Sequence, residues 1–361
     1  MQFKWGWVAR GGSLVAAGVV GYFVGRIVAI PGTTPFWNIA AQPLATLFAG
    51  IGAITAGCLA FYNGHRSREQ EADHHRDSAT QERESGLRER YTAAAGQLAD
   101  TNPAIREAGV YAIAALTDAW YRFGKSTDQF ELSGSEQQVC LNLLCSYLRA
   151  NRSVGKSVSW NDESEEVAVR ATIIAVLRER LGTWKKQGVS SVDLSGAYLP
   201  RARLRGINLS GADLSGADLS HAWLKGSNLE RANLSDCVLT GTELAKARMH
   251  RALLVGAHAS EADFTGAHLK SARLDAAKLD DVDFSRCSLA SAQLGYADLK
   301  GAEMVNVDLS NARLRGANLS GVDLSTCNLT GTRLDGAENL DFSKLPENEA
   351  MRGAELPYPA S

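Results

Sequence analysis

From Val192 to Gly336 the hydrophobic pattern has a period of five. A Leu fills the third slot of almost every unit, with Phe264, Phe284, Met249 and Met304 as substitutes of similar volume, and a small residue opens each unit. Units such as VDLSG, ADLSG, ANLSD and TRLDG keep one register for roughly 29 repeats without an insertion. Self-similarity of that length sets the architecture of the segment. The first slot (Ala, Val, Ile, Cys, Ser or Thr) and the third point inward. The other three hold Asp, Asn, Ser, Arg, Lys and Gly, as an outer surface should. Stacked layers of this kind bury a continuous core that no single unit can bury alone. Met249 and Ala259 are the weakest inward slots, and Cys237, Cys287 and Cys327 occupy the small inward slot as packing residues.

Ahead of the repeat the pattern turns helical. After Asn102-Pro103, a cap followed by proline at the first helical position, apolar residues recur at Ile105, Ala108, Ala112, Ile113, Leu116 and Trp120. A second helix is expected behind the capping-box pattern Ser133 to Glu136, running from Val139. A third is expected behind Asn161-Asp162, with Val167, Ala171, Ile174, Leu177 and Leu181 on one stripe. Three helices joined by polar loops have the pattern of a short HEAT-type stack. Residues 63–100 alternate in charge sign and lack proline, which predicts a solvated helix.

Further upstream, Gly11 to Gly25 is nearly uncharged and leads through Arg26 to Ile30, while Leu44 to Tyr62 carries no charge at all. Each run is about the length that a bilayer core requires. Lys4 and Arg10 precede the first run, and Arg66, Arg68 and Arg76 follow the second. By the positive-inside rule this is a two-span hairpin in the inner or plasma membrane with both termini cytoplasmic. The competing accounts are a cleaved signal peptide and a buried soluble hairpin, and no A-x-A cleavage site is evident. Gly21, Gly25, Gly52 and Ala56 stand at helix-packing spacing, which gives one route to a homo-oligomer; an open end of the repeat gives another.

The unit A-(D/N)-L-x-x resembles the pentapeptide-repeat family over about two-fifths of the chain, and the segments ahead of it look like those of membrane-linked bacterial members. The resemblance implies a right-handed quadrilateral β-helix with one unit per side and four per coil. That makes about seven coils and a rod about 35 Å long at the usual inter-strand spacing. The expected fold class is therefore α + β multidomain: a transmembrane helical hairpin over 1–64, a charged linker helix over 65–100, an α-helical HEAT-like domain over 101–188, the pentapeptide-repeat β-helix over 189–343 and a C-terminal cap over 344–361. The third helix is placed to cover the start of the rod, and Phe342 and Leu345 to close its end.

Composition narrows the function. Lys and Arg number 38 against 40 Asp and Glu, for a formal net charge of -2, so nothing global draws the chain to nucleic acid. With residues twenty apart stacked, one column collects Arg231, Arg248, His250, Arg251, His268 and Lys270, opposed mainly by Glu230. This basic patch suits an anionic partner or lipid headgroups; the competing account is an ordinary solvated face. Leu253 and Val255 are outward apolar residues in the adjacent column, and Tyr296 lies two coils further on. No G-x-S-x-G, P-loop, G-x-G-x-x-G after a strand, or H-E-x-x-H occurs, so no catalytic, cofactor or metal residue is assigned. His74 and His75 are adjacent and point to different helix faces. The reading that follows is a non-enzymatic, membrane-anchored cytoplasmic scaffold with an unidentified protein partner. The alternatives are a membrane effector of a stress or phage-defence system and a DNA-mimicking gyrase binder of the quinolone-resistance type. The last requires a strongly acidic rod, whereas residues 191–345 carry about as many basic as acidic side chains.

Overall fold

The computed structural model describes residues 34–150, 165–346 and 351–356. The chain divides into two compact units, Met1–Ala79 and Thr80–Ser361. Helix α1, Thr34–Leu98, runs through the first and into the second. It contains the expected second span and continues through Gly64, so residue 64 is not a structural boundary, and Pro35 to Trp37 lie in its first turn rather than in a loop. Proline is tolerated there because a first-turn N–H has no partner within the helix. Among the described residues no helix is long and apolar enough to cross a membrane. The expected first span, Gly11 to Ile30, lies outside the described residues.

In the second unit α1 ends against α2, Pro103–Thr127, burying Leu87, Ala94 and Leu98. The crossing is close: a Cβ on Gly109 would stand 2.7 Å from the Leu98 nitrogen. Asn102 caps α2 as its sequence predicts, its side chain accepting from the Ala104 N–H at 2.9 Å. Asp128, with φ of 60°, ends the helix in the left-handed region. Helix α3, Phe130–Ala150, then starts earlier than expected. Ser133 is not its cap; it lies inside the helix, buried against Gly124, and donates its hydroxyl to the Trp120 carbonyl at 2.8 Å. The capping-box spacing is satisfied here by a tight helix crossing.

Helix α4, Glu165–Lys186, buries Val169, Ile173, Val176, Leu177, Leu181 and Trp184, a wider arc than the predicted stripe, while Val167 is half-buried and Ala171 exposed. The arc is wide because α4 packs against α2 on one side and against the β-helix on another. Trp184 donates to Asp118 of α2 at 2.8 Å, and Arg180 pairs with the same carboxylate.

From Asp193 onward parallel bridges join residues twenty apart, from Asp193↔Asp213 to Asn318↔Glu338. Each coil therefore has four sides of five residues, here numbered one to four from Val192, Ala197, Ala202 and Ile207. The strands shrink to single bridges, yet the ladder is dense. The Leu194 N–H donates to the Asp213 carbonyl at 2.7 Å and the Asp213 N–H returns to Val192 at 2.9 Å, a pattern repeated along the rod. Inward Leu, Phe, Met and Ala residues are buried throughout, Met249 and Ala259 included, and Phe264 stacks on Phe284 at 5.1 Å.

Both ends are closed. At the first coil the carbonyls facing away from the second have no ladder partner, and the helices supply donors. Arg170, 1% exposed, donates to the Leu148 carbonyl at the end of α3 and to the Tyr198 carbonyl of the coil, each at 2.7 Å. Lys185 reaches the Ser210 carbonyl, and Arg149 pairs with Asp193. At the far end Glu355 bridges Arg333, twenty-two residues on rather than twenty. Leu340, Leu345 and Met351 pack on the core there, whereas Phe342, in the 3-10 turn Phe342–Lys344, is 50% exposed and is not part of the lid.

Two substitutions separate the joint from the ladder. Arg170→Ala leaves buried carbonyls unpaired and is expected to cost about 2–4 kcal/mol in thermal unfolding. Ser227 fills a small inward slot with a buried hydroxyl that has no partner among the described residues. Ser227→Ala is therefore expected to stabilise by about 1 kcal/mol.

Candidate functional site

The rod's rows of Asp and Asn are structural. In the second slot of a unit they accept from the N–H two residues on, as Asp193 does from Ser195 at 3.0 Å and Asp283 from Ser285 at 2.7 Å. This fixes the turn at each corner. Burial alone would raise the Asp283 carboxyl, but the hydroxyl and N–H of Ser285 and the Thr265 hydroxyl outweigh it and hold the group below its ordinary range. Asp193 is lowered in the same sense, against its desolvation, by Ser195 and Arg149. The inward thiols are inert for a different reason. Cys237 and Cys287 donate to the carbonyls of Leu214 and Phe264 at 2.8 and 2.7 Å, and burial pushes both up to about 12.

The fifth slot turns nearly every corner with positive φ, Thr326 being an exception, and glycine adopts that conformation without steric cost. Several corners use other residues, among them Arg231 and Arg251 with φ of 56° and 58°.

On side four the predicted basic residues come together. Arg248 bridges Asn228 below it and His268 above it. The His250 and His268 rings stack at 5.9 Å. Arg231 and Arg251 sit one above the other at the corner, and Lys270 stands above His250 in the same slot. Arg248 pairs with Glu230 at 2.5 Å, while Arg231, Arg251 and Lys270 make no ion pair among the described residues and are exposed. Lys246, at the opposite corner of the side, adds a further exposed cation that a reading by columns overlooked because it belongs to the last slot of side three. The coils on either side present Asn208 and Ser210, and Ser288 and Ala290, so the patch is bounded.

Leu253 and Val255 join the edge of this patch but are half-buried, not protruding. Coils about 4.8 Å apart flank both residues and cover part of each side chain. The exposed large apolar residues of the rod are elsewhere: Tyr296 and Val305, with Trp223 and Val238 less so.

A parallel twenty-residue ladder around a Leu core defines a solenoid built from pentapeptide units. The family model described as pentapeptide repeats matches residues 192–231 and 232–270, and that of a pentapeptide repeat region matches 262–339. HetL of the cyanobacterium Nostoc sp. strain PCC 7120, a pentapeptide repeat protein involved in heterocyst differentiation regulation, is 30% identical over 46% of this chain and 81% of its own, with a TM-score of 0.24. A pentapeptide repeat protein from the Arabidopsis thaliana thylakoid lumen is 30% identical over 33% of this chain and 68% of its own, with a TM-score of 0.17. Trypsin-treated QnrB1, a plasmid-mediated fluoroquinolone resistance protein, is 26% identical over 46% and 81%, with a TM-score of 0.29. No curated protein matches. The chain belongs to the pentapeptide-repeat family.

The lowered carboxyls set an acid limit. Their contribution is fully present above the unfolded carboxylate value of about 4 and is lost as pH falls through the lower folded values. Thermal stability is expected to be flat from neutrality to about pH 5 and to drop below about pH 4, and a titration of the melting temperature checks this.

Proposed function

We propose that this protein is a non-enzymatic interaction scaffold whose rigid rod presents the basic patch of side four to an acidic surface of a partner protein. The observation that carries the reading is the stacking of uncompensated cations on three successive coils, on a backbone that holds their spacing fixed. Complementary charge of this kind steers association and selects partners. Replacing Arg231 and Arg251 by Gly removes two charges at corners that glycine fills more easily, so the fold is retained or stabilised. With Lys270→Glu added, proximity labelling from the C-terminus in the native host is expected to lose a defined set of neighbours. An unchanged set would return the patch to a solvated face.

The N-terminal part is proposed to hold the scaffold at the inner or plasma membrane with its rod in the cytoplasm. Support comes from the uncharged runs Gly11 to Gly25 and Leu44 to Tyr62, and from the exposure of Ile51, Ile54, Leu59, Phe61 and Tyr62 along α1. The chain is expected in the membrane fraction after alkaline carbonate extraction, and in the soluble fraction when residues 1–64 are deleted. A DNA-mimicking role is disfavoured because side four has the opposite sign to a duplex.

A further inference from the structure

A second cationic surface lies where the helices meet the rod. Between α4 and the first coil runs a groove of about 390 Å³ with Val167, Ala171 and Ile174 along its floor and Arg178, Arg201 and Arg203 at its rim. The stripe Val167, Ala171, Ile174 and Arg178 follows the helical repeat, so one face of α4 supplies the floor and one guanidinium. The coil supplies the others, Arg201 from a corner and Arg203 from side three. None of the three makes an ion pair among the described residues, and all are exposed. Beside them Trp223, 38% exposed, lies under two guanidinium groups, those of Arg203 at 5.3 Å and Arg205 at 5.8 Å from the ring centroid. Arg205 is already neutralised by Glu243 at 3.2 Å, and Arg203 is not.

We infer that this groove binds a short acidic peptide segment of a partner protein, with one bulky apolar side chain on the α4 floor and carboxylates forked by the arginines. Three features select that occupant. Guanidinium groups recognise carboxylates through paired N–H donors, and exposed Trp and Arg beside an apolar floor are the side chains that dominate protein interfaces. The volume is near the lower end for ligand pockets, enough for a few side chains and too small for a folded domain's edge. The third feature is the column above the groove. On side three the slot that holds Arg203 and Trp223 continues as Glu243, Asp263, Asp283 and Glu303. A nucleic acid or an anionic membrane laid along that side would meet carboxylates from the third coil onward, whereas a short segment ends before them.

The test uses the whole chain and a phage-displayed library of seven-residue peptides in which all twenty residue types occur in random order. Enriched peptides are expected to combine at least two acidic residues with one bulky apolar residue. Their affinity should fall about tenfold for each guanidinium removed in Arg178→Gln and Arg201→Gly. Arg201→Gly keeps the fold, since Arg201 has φ of 55° and glycine relieves that corner. Arg251→Gly on side four should leave the affinity unchanged, which separates this site from the scaffold surface. A decamer of thymidylate and vesicles containing phosphatidylserine serve as competitors. Failure to enrich acidic-apolar peptides, binding that ignores the groove substitutions, or groove-dependent binding of either competitor tighter than that of the peptides would overturn the proposal.

Discussion

The structure depends on the repeated hydrogen bond between an inward residue of one coil and a carbonyl of the next. The Leu194 N–H reaches the Asp213 carbonyl, and the same step of nineteen residues recurs up the rod, as from Leu234 to Leu253 and from Leu274 to Gln293. Because the step is constant, every slot stacks on its own kind. Leu falls on Leu to make the core, small residues fall on small residues beside it, and outer side chains form columns whose chemistry adds. A one-residue insertion taken into the ladder would shift the register of the Leu residues that follow it, and the repeat carries none from Val192 to Gly336.

A ladder of this sort leaves acceptors at its first coil, and that shapes the helical segment. A neutral cap can cover Leu side chains but offers few donors to outward-facing carbonyls. Arg170 and Lys185 meet that need with long cationic side chains, and Gln138 donates to the Ser191 carbonyl at 2.8 Å while accepting from the Ser190 and Ser191 N–H groups. Burying a guanidinium is costly, and desolvation does lower the Arg170 pKa. The cost is offset because its donors satisfy the end of α3 and the edge of the coil at once. The helices are thereby fixed to the rod by polar bonds across an apolar contact, so α4 keeps a constant position relative to the first coil. That constancy is what gives the groove beside Arg201 its shape.

What could be read from the chain follows from how local each rule is. The five-residue period is local, and it disclosed the core, the inert cysteines and, through stacking by twenty, the cations of side four. The start of α3 was misread because Ser133 and Glu136 imitate a cap, while the deciding contact is with Gly124 on another helix. Leu253 and Val255 pointed outward as expected, but the closeness of neighbouring coils half covers them. The groove was not visible at all. Arg178 and Arg201 are twenty-three residues apart in unlike elements, and only the docking of α4 brings them together. Phe342 looked like a lid because it is large and apolar, whereas the chain turns it outward and uses Leu340, Leu345 and Met351.

The near-zero net charge conceals an ordered separation of charge. Side four holds its cations over three coils, is neutral on the coils immediately above and below and carries Asp308 one coil further up, while the neighbouring column of side three is acidic from Glu243 upward. The Arg205–Glu243 pair marks the transition on side three. Three coils span only about 15 Å at the usual inter-strand spacing, so a long polyanion gains little from the basic patch and is repelled on turning the corner to side three. A compact acidic surface fits within it. Charge confined in this way favours a partner of matching dimensions over any extended polymer, and the rigidity of the ladder keeps the patch from spreading to accommodate a larger one.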